Sequence, residues 1–181
     1  MAWQRYPLAP TAKSCGIRFV FMKLANLLGA NQIILEMKAV EHWPAIEELV
    51  GHLVKINLLP QAQEQSILSA FKAREEQVST GIGSGVAIPH AFSDELEQVI
   101  AVFGRSKVGI DFEALDHSPV HSIILFIVPR KDYHLHLRTL SAIAKMFTNS
   151  EVLRQLGTAQ TCDEILAILD SKPSRAPAPL P

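Results

Sequence analysis

Apolar residues recur along this chain in two rhythms, and the changes of rhythm mark off its elements. Met22 to Leu28 reads as a short helix, and the β-branched run Ile33 to Met37 as a strand. From Glu41 to Ile56 the apolar residues Ile46, Leu49, Val50, Leu53 and Val54 fall at helical spacing, with Pro44 in the first turn, where its missing N–H does no harm. Pro60 opens a second helix that carries Ile67, Leu68 and Phe71 on one face and Lys72, Arg74 and Glu75 near its end. Ser79 to Gly85 is too rich in Ser, Thr and Gly for a regular helix. It leads into Val86-Ala87-Ile88-Pro89-His90, read as a short strand that proline stops, so that His90 stands at a strand end. Val99 to Phe103 and Ile123 to Val128 are further strands. The latter is apolar on both faces and therefore central, and Gly109 to Pro119 between them is mostly turn. Leu137, Leu140, Ala144 and Phe147 then form the stripe of an amphipathic helix starting at Asp132, and two shorter helices follow, Ser150 to Leu156 and Cys162 to Leu169.

This order is neither a repeat nor a strict strand–helix alternation. It predicts the α/β class, as a single-domain α/β sandwich with a mixed central sheet flanked by helices. A chain of 181 residues is within the usual size of one domain. The expected folded domain is 22–170. Residues 1–21, with Pro7 and Pro10 and no sustained period, read as a flexible arm, and Met22 is an alternative start. Residues 171–181, with four prolines, read as a disordered tail. Arg5 and Lys13 precede a partly apolar stretch, but Arg18, Lys23 and Asn26 interrupt it and no small-residue cleavage pattern follows, so it is not read as a secretion signal.

Charge and composition narrow the function. Seventeen basic and eighteen acidic residues give a net charge of -1, so no broad field exists to hold nucleic acid or an anionic bilayer, and partners must be recognised by local patches. The run Ile123 to Val128 is far shorter than the roughly 20 residues of a membrane-crossing helix, so stable membrane insertion is not expected. Cys15 and Cys162 lie far apart and outside any metal-type spacing, which fits a reducing, cytoplasmic setting without a disulfide framework. The pattern calls for no cofactor and no metal, and it leaves room for a homodimer.

Of the seven histidines, at 42, 52, 90, 117, 121, 134 and 136, position decides which can act. His42 and His52 sit on the first helix and read as structural. His117 and His121 are four apart, the spacing of two zinc ligands on one helix face, but Pro119 between them argues against that helix and no further ligand completes a site. Gly81, Gly83 and Gly85 alternate, yet a dinucleotide fingerprint would need glycine at Val86 with a strand before and a helix after, and a P-loop would need Gly-Lys-Ser/Thr. Alternating small residues instead allow a backbone nest of N–H groups able to receive an anion, and Thr80, Gly81 and Gly83 are the expected phosphoryl-binding loop.

Pro89 fixes the backbone just before His90, one short strand after that loop. At neutral pH an imidazole is mostly neutral, with a lone pair able to attack phosphorus, and it leaves readily once phosphorylated. Phosphoryl transfer otherwise needs the equatorial oxygens held and their charge balanced. Arg74, six residues before Thr80, is placed to supply that charge. His136, in the first turns of the helix from Asp132, faces the positive end of the helix dipole, and His134 points to the other side.

Three stretches, Ala73-Arg74-Glu75-Glu76, Ser79 to His90 and His136-Leu137-Arg138-Thr139-Leu140-Ser141, occur in an order that resembles the type-2 IIA component of the bacterial phosphotransferase system, the fructose/mannitol family. The resemblance spans about residues 22 to 170. It is nearest to the nitrogen-regulatory branch, on Leu140-Ser141-Ala142-Ile143-Ala144-Lys145 and on the lack of a IIB or IIC segment in the sequence. It implies an α/β sandwich in which His90 accepts a phosphoryl group from an HPr-like phosphocarrier, with His136 and Arg74 helping to hold it. The acceptor would be a IIB domain in sugar uptake or, alternatively, a regulatory target protein that reads the phosphorylation state. The family usually has glycine after the phosphorylated histidine; here it is Ala91, which puts the turn geometry in question.

Overall fold

The computed structural model describes residues 24, 27–132, 140 and 143–170. The elements, in chain order, are β1 (Ile33–Ile34), α1 (His42–Lys55), α2 (Glu64–Glu75), β2 (Gly81–Gly83), β3 (Val86–Ala87), β4 (His90–Ser93), β5 (Ile100–Ile110), β6 (Val120–Pro129), α3 (Ser150–Thr158) and α4 (Cys162–Asp170). A single sheet runs β1-β5-β6-β3-β2, with β4 also pairing β6. It is mixed: β1 lies parallel to β5, and β3 and β4 parallel to β6, whereas β5–β6 and β2–β3 are antiparallel. This is the α/β architecture that the element order predicts.

Alternation along the strands splits the core in two. Val102, Leu125, Ile127 and Ala91 point to one face and bury Ile46, Leu49, Val50 and Leu53 of α1 with Ile67 and Phe71 of α2. Phe103, Ile124, Phe126 and Ile88 point to the other and bury Phe147, Val152, Leu156 and Ile165. β6 is central, as its unbroken apolar run predicts, with β5 on one side and β3 and β4 on the other.

Three sequence expectations need correction. The strand through Val86 ends at Ala87, as a stop at Pro89 predicts, but His90 does not close it. Proline removes one ladder donor, but its carbonyl still accepts the Phe126 N–H at 2.9 Å and the chain stays extended, so pairing with β6 resumes at once and His90 begins β4. β5 reaches far beyond Phe103, because the polar residues Arg105 and Ser106 are buried and Arg105 pairs with Ser122 of β6. In contrast, the strand expected over 33–37 stops at Ile34. Residues 1–21 and 171–181, with their expected arm and tail, lie outside the described residues, as do His134, His136 and Leu137. Leu140 and residues 143–146 are helical, in register with the stripe read from the sequence. No helix among the described residues is long and apolar enough to cross a membrane.

Candidate functional site

The last turn of α2 and the first residue of β4 meet at an open groove of about 280 Å³, where Arg74, Ser79, Thr80 and His90 share the lining with the apolar Ile82, Ile88, Leu140 and Ala144. His90 reaches it because strand alternation sends His90 to the same side as Ile88 while Ala91 goes to the opposite face. The question raised by Ala91 is thereby answered: its methyl group is buried in the α1/α2 core and does not enter the groove.

The His90 ring is half-buried and held at both nitrogens. Nδ1 lies 3.1 Å from the Ile88 carbonyl. A carbonyl can only accept, so Nδ1 carries the proton and Nε2 presents its lone pair. Arg74 directs its Nε–H at Nε2 from 3.4 Å, a long bond that is easily exchanged, and anchors Nη1 on the Val78 carbonyl at 2.8 Å. Burial holds the imidazole below the ordinary histidine range. The Ile88 carbonyl and Glu75 pull it up, and the Arg74 charge pushes it down again. The balance favours a neutral ring.

Beneath the groove lies a network that sequence reasoning missed. The Glu75 carboxylate, 6% exposed, accepts the Thr80 N–H at 3.0 Å, the Thr80 hydroxyl at 2.7 Å and the His42 Nε2–H at 3.0 Å. These bonds hold Glu75 below the usual carboxylate range even though burial acts the other way. His42 in turn stacks on Phe112, their ring centres 3.9 Å apart. Glu75 follows Arg74 directly, so one helical turn delivers the cation to the groove and the anion beneath it. A glutamate near a helix end ordinarily reads as a solvated charge, and only the pairing of Thr80 with it in three dimensions reveals the difference.

The stretch expected to form an open nest is a hairpin strand in which three donors are already engaged. The Thr80 N–H goes to Glu75, the Gly81 N–H to the Ser79 hydroxyl at 3.1 Å and the Ser84 N–H to Asp116 at 2.8 Å. Gly81 serves close packing: a Cβ there would stand 2.8 Å from the Ala114 Cα. Gly83 serves conformation, at φ +90°. Of the three loop residues, Thr80 lines the groove. Among the other histidines, His52 binds the Asn31 carbonyl, His117 sits in a turn at φ +57°, and His121 is on β6 with Nδ1 donating to the Ser106 carbonyl.

Comparison with known proteins bears on the chain as a whole. The fructose-specific EIIABC component of Bacillus subtilis is 36% identical over 151 residues, 82% of this chain, and the chain spans only 23% of that protein's length. The nitrogen regulatory protein of Bradyrhizobium diazoefficiens is 27% identical over 86% of this chain and 99% of its own. In structure, the nitrogen regulatory protein IIA-Ntr of Neisseria meningitidis superposes with a TM-score of 0.74 at 30% identity, over 80% of this chain and 97% of that one. The family model described as phosphoenolpyruvate-dependent sugar phosphotransferase system, EIIA 2, matches residues 26–172, and the chain belongs to that family.

Proposed function

We propose that His90 is the phosphoacceptor, that its Nε2 is the attacking atom, and that Arg74 stabilises the incoming group. The observation that carries this reading is the pair of bonds on one ring: Nδ1–H on the Ile88 carbonyl and the Arg74 guanidinium against Nε2. The Nε2 lone pair forms a bond to phosphorus as the nitrogen–phosphorus bond of a phosphohistidine donor breaks, its electron pair returning to the donor's ring. The His90 ring then carries a positive charge, with its Nδ1–H still on the Ile88 carbonyl, and is itself a good leaving group. The entering group displaces the long Arg74 contact, and the guanidinium turns its N–H groups onto the phosphoryl oxygens.

His136, outside the described residues, takes the second-imidazole role that the family resemblance implies. The donor that fits is an HPr-like phosphocarrier, and the groove is open enough for a protein surface to reach His90. For the acceptor, the likeness to the nitrogen regulatory proteins favours a regulatory target that reads the phosphorylation state over a IIB domain in sugar uptake. The added charge of roughly -1.5 to -2 is large for a groove whose lining includes the apolar Ile82, Leu140 and Ala144, which supplies the physical basis of such a switch.

The test is incubation with phosphoenolpyruvate, enzyme I and HPr, followed by mass measurement under non-acidic conditions. One added phosphate is expected, and none on His90→Ala. A phosphorylated His90→Ala variant would refute the assignment.

A further inference from the structure

Two buried donors on neighbouring strands face a second groove without an acceptor. Arg105 of β5 and Ser122 of β6 are direct partners in the antiparallel ladder, each 4% exposed, and both line a groove of about 360 Å³ together with Ser84, Lys107 and His121. Arg105 commits its Nε–H to the Leu35 carbonyl at 3.0 Å and Nη1 to the Leu156 and Ala159 carbonyls at 3.0 and 2.5 Å. All three acceptors are neutral. The two at the end of α3 offset part of the charge through the negative end of the helix dipole. The Nη2 amino group has no acceptor among the described residues, nor has the Ser122 hydroxyl, and neither atom is sealed from solvent. A largely buried guanidinium is ordinarily matched by a carboxylate, yet no Asp or Glu lines this groove. Lys107 adds a second cation at its rim, engaged only in an exposed pair with Glu36 at 2.9 Å.

We propose that this groove binds a small oxyanion of the phosphate or phosphate-monoester class. A tetrahedral dianion offers enough oxygens to take both Nη2 N–H groups, the Ser122 hydroxyl and the Lys107 ammonium together, where a monocarboxylate offers two. The volume is at the small-metabolite end of ligand pockets. The site is separate from the phosphoacceptor groove. Val86 pairs with Ser122 and His90 with Phe126, so four β6 positions, about 13 Å at strand rise, lie between them.

The test is titration of the isotope-labelled full chain with inorganic phosphate at constant ionic strength, followed by amide NMR, with succinate as a parallel arm. Saturable shifts at Gly85, Lys107 and Ser122 are expected, unchanged in His90→Ala. Ser122→Asp, which places a carboxylate beside the guanidinium, should weaken phosphate binding by about tenfold or more. Lys107→Glu, at an exposed position that leaves the buried network intact, should weaken it several-fold. Three results would overturn the proposal: no saturable shift at these residues, shifts confined to the surroundings of Arg74 and His90, or wild-type affinity in Lys107→Glu and in whichever Ser122 variant folds, Asp or Ala. Succinate binding as tightly as phosphate would overturn the ligand class.

Discussion

Replacing Glu75 by glutamine preserves the shape of the side chain and removes its charge, which isolates what the buried carboxylate contributes. Three donors converge on it, the N–H and hydroxyl of Thr80 and the Nε2–H of His42. A glutamine offers one acceptor oxygen and turns an amino group toward donors, so at least one of these bonds is lost and another is weakened. Hydrogen bonds to a charged group contribute about 1.5–3 kcal/mol each and neutral ones about 0.5–1.5 kcal/mol, so the loss should be about 2–4 kcal/mol. For a chain of this size that corresponds to a fall in Tm of roughly 4–15 °C. The dependence on pH is a sharper check. The folded pKa of Glu75 is depressed, so its contribution is fully present above the unfolded value of about 4.3 and is lost as pH falls through the lower folded value. Thermal melts of both proteins should therefore diverge at pH 7 and converge below about pH 4. A variant melting within about 1 °C of wild type at pH 7, or a gap unchanged down to pH 3.5, would refute the claim that this carboxylate anchors the Thr80 segment.

Arg74→Ala should slow phosphorylation of His90 by about 10- to 100-fold, the equivalent of one charge-assisted hydrogen bond in the transition state, with Arg74→Lys in between; stopped-flow transfer from phosphorylated HPr reads this directly. The acid limb of the rate against pH should lie below about 6.5, because burial and then Arg74 keep the His90 ring neutral past that point. The same depression works against the fold in acid. Stability contributed by neutral His90 is present above the unfolded value of about 6.5 and is lost as pH falls below it toward the lower folded value, so His90→Gln should gain stability relative to wild type as pH drops below about 6.5, as denaturant melts would show.

The sequence made His90 legible as the candidate phosphoacceptor because Ile88-Pro89-His90 combines a strand, a fixed backbone and an imidazole in three residues. Arg74 was legible from its distance along the chain, and helix geometry then brought it within 3.4 Å. Other parts were not. Pro89 reads as a strand stop, since a proline denies the ladder a donor, and the strand does break there; what the pattern does not show is that the Pro89 carbonyl keeps the register with Phe126, so that pairing resumes at His90. The strand expected over Val99 to Phe103 falls short of Arg105, because nothing local shows that the Arg105 cation is satisfied by carbonyls 51 and 54 residues away. His42 and Glu75 are 33 residues apart and each has an ordinary surface reading. Their meaning comes only from α1 and α2 packing side by side, which no pattern within either helix encodes.

The Nε2 assignment can be measured without kinetics. A long-range proton–nitrogen correlation on ring-labelled, phosphorylated protein distinguishes the two nitrogens of His90. Phosphorus on Nε2, with the proton retained on Nδ1, is the predicted outcome; phosphorus on Nδ1 would contradict the account, because it would require the Ile88 carbonyl to face the phosphoryl group.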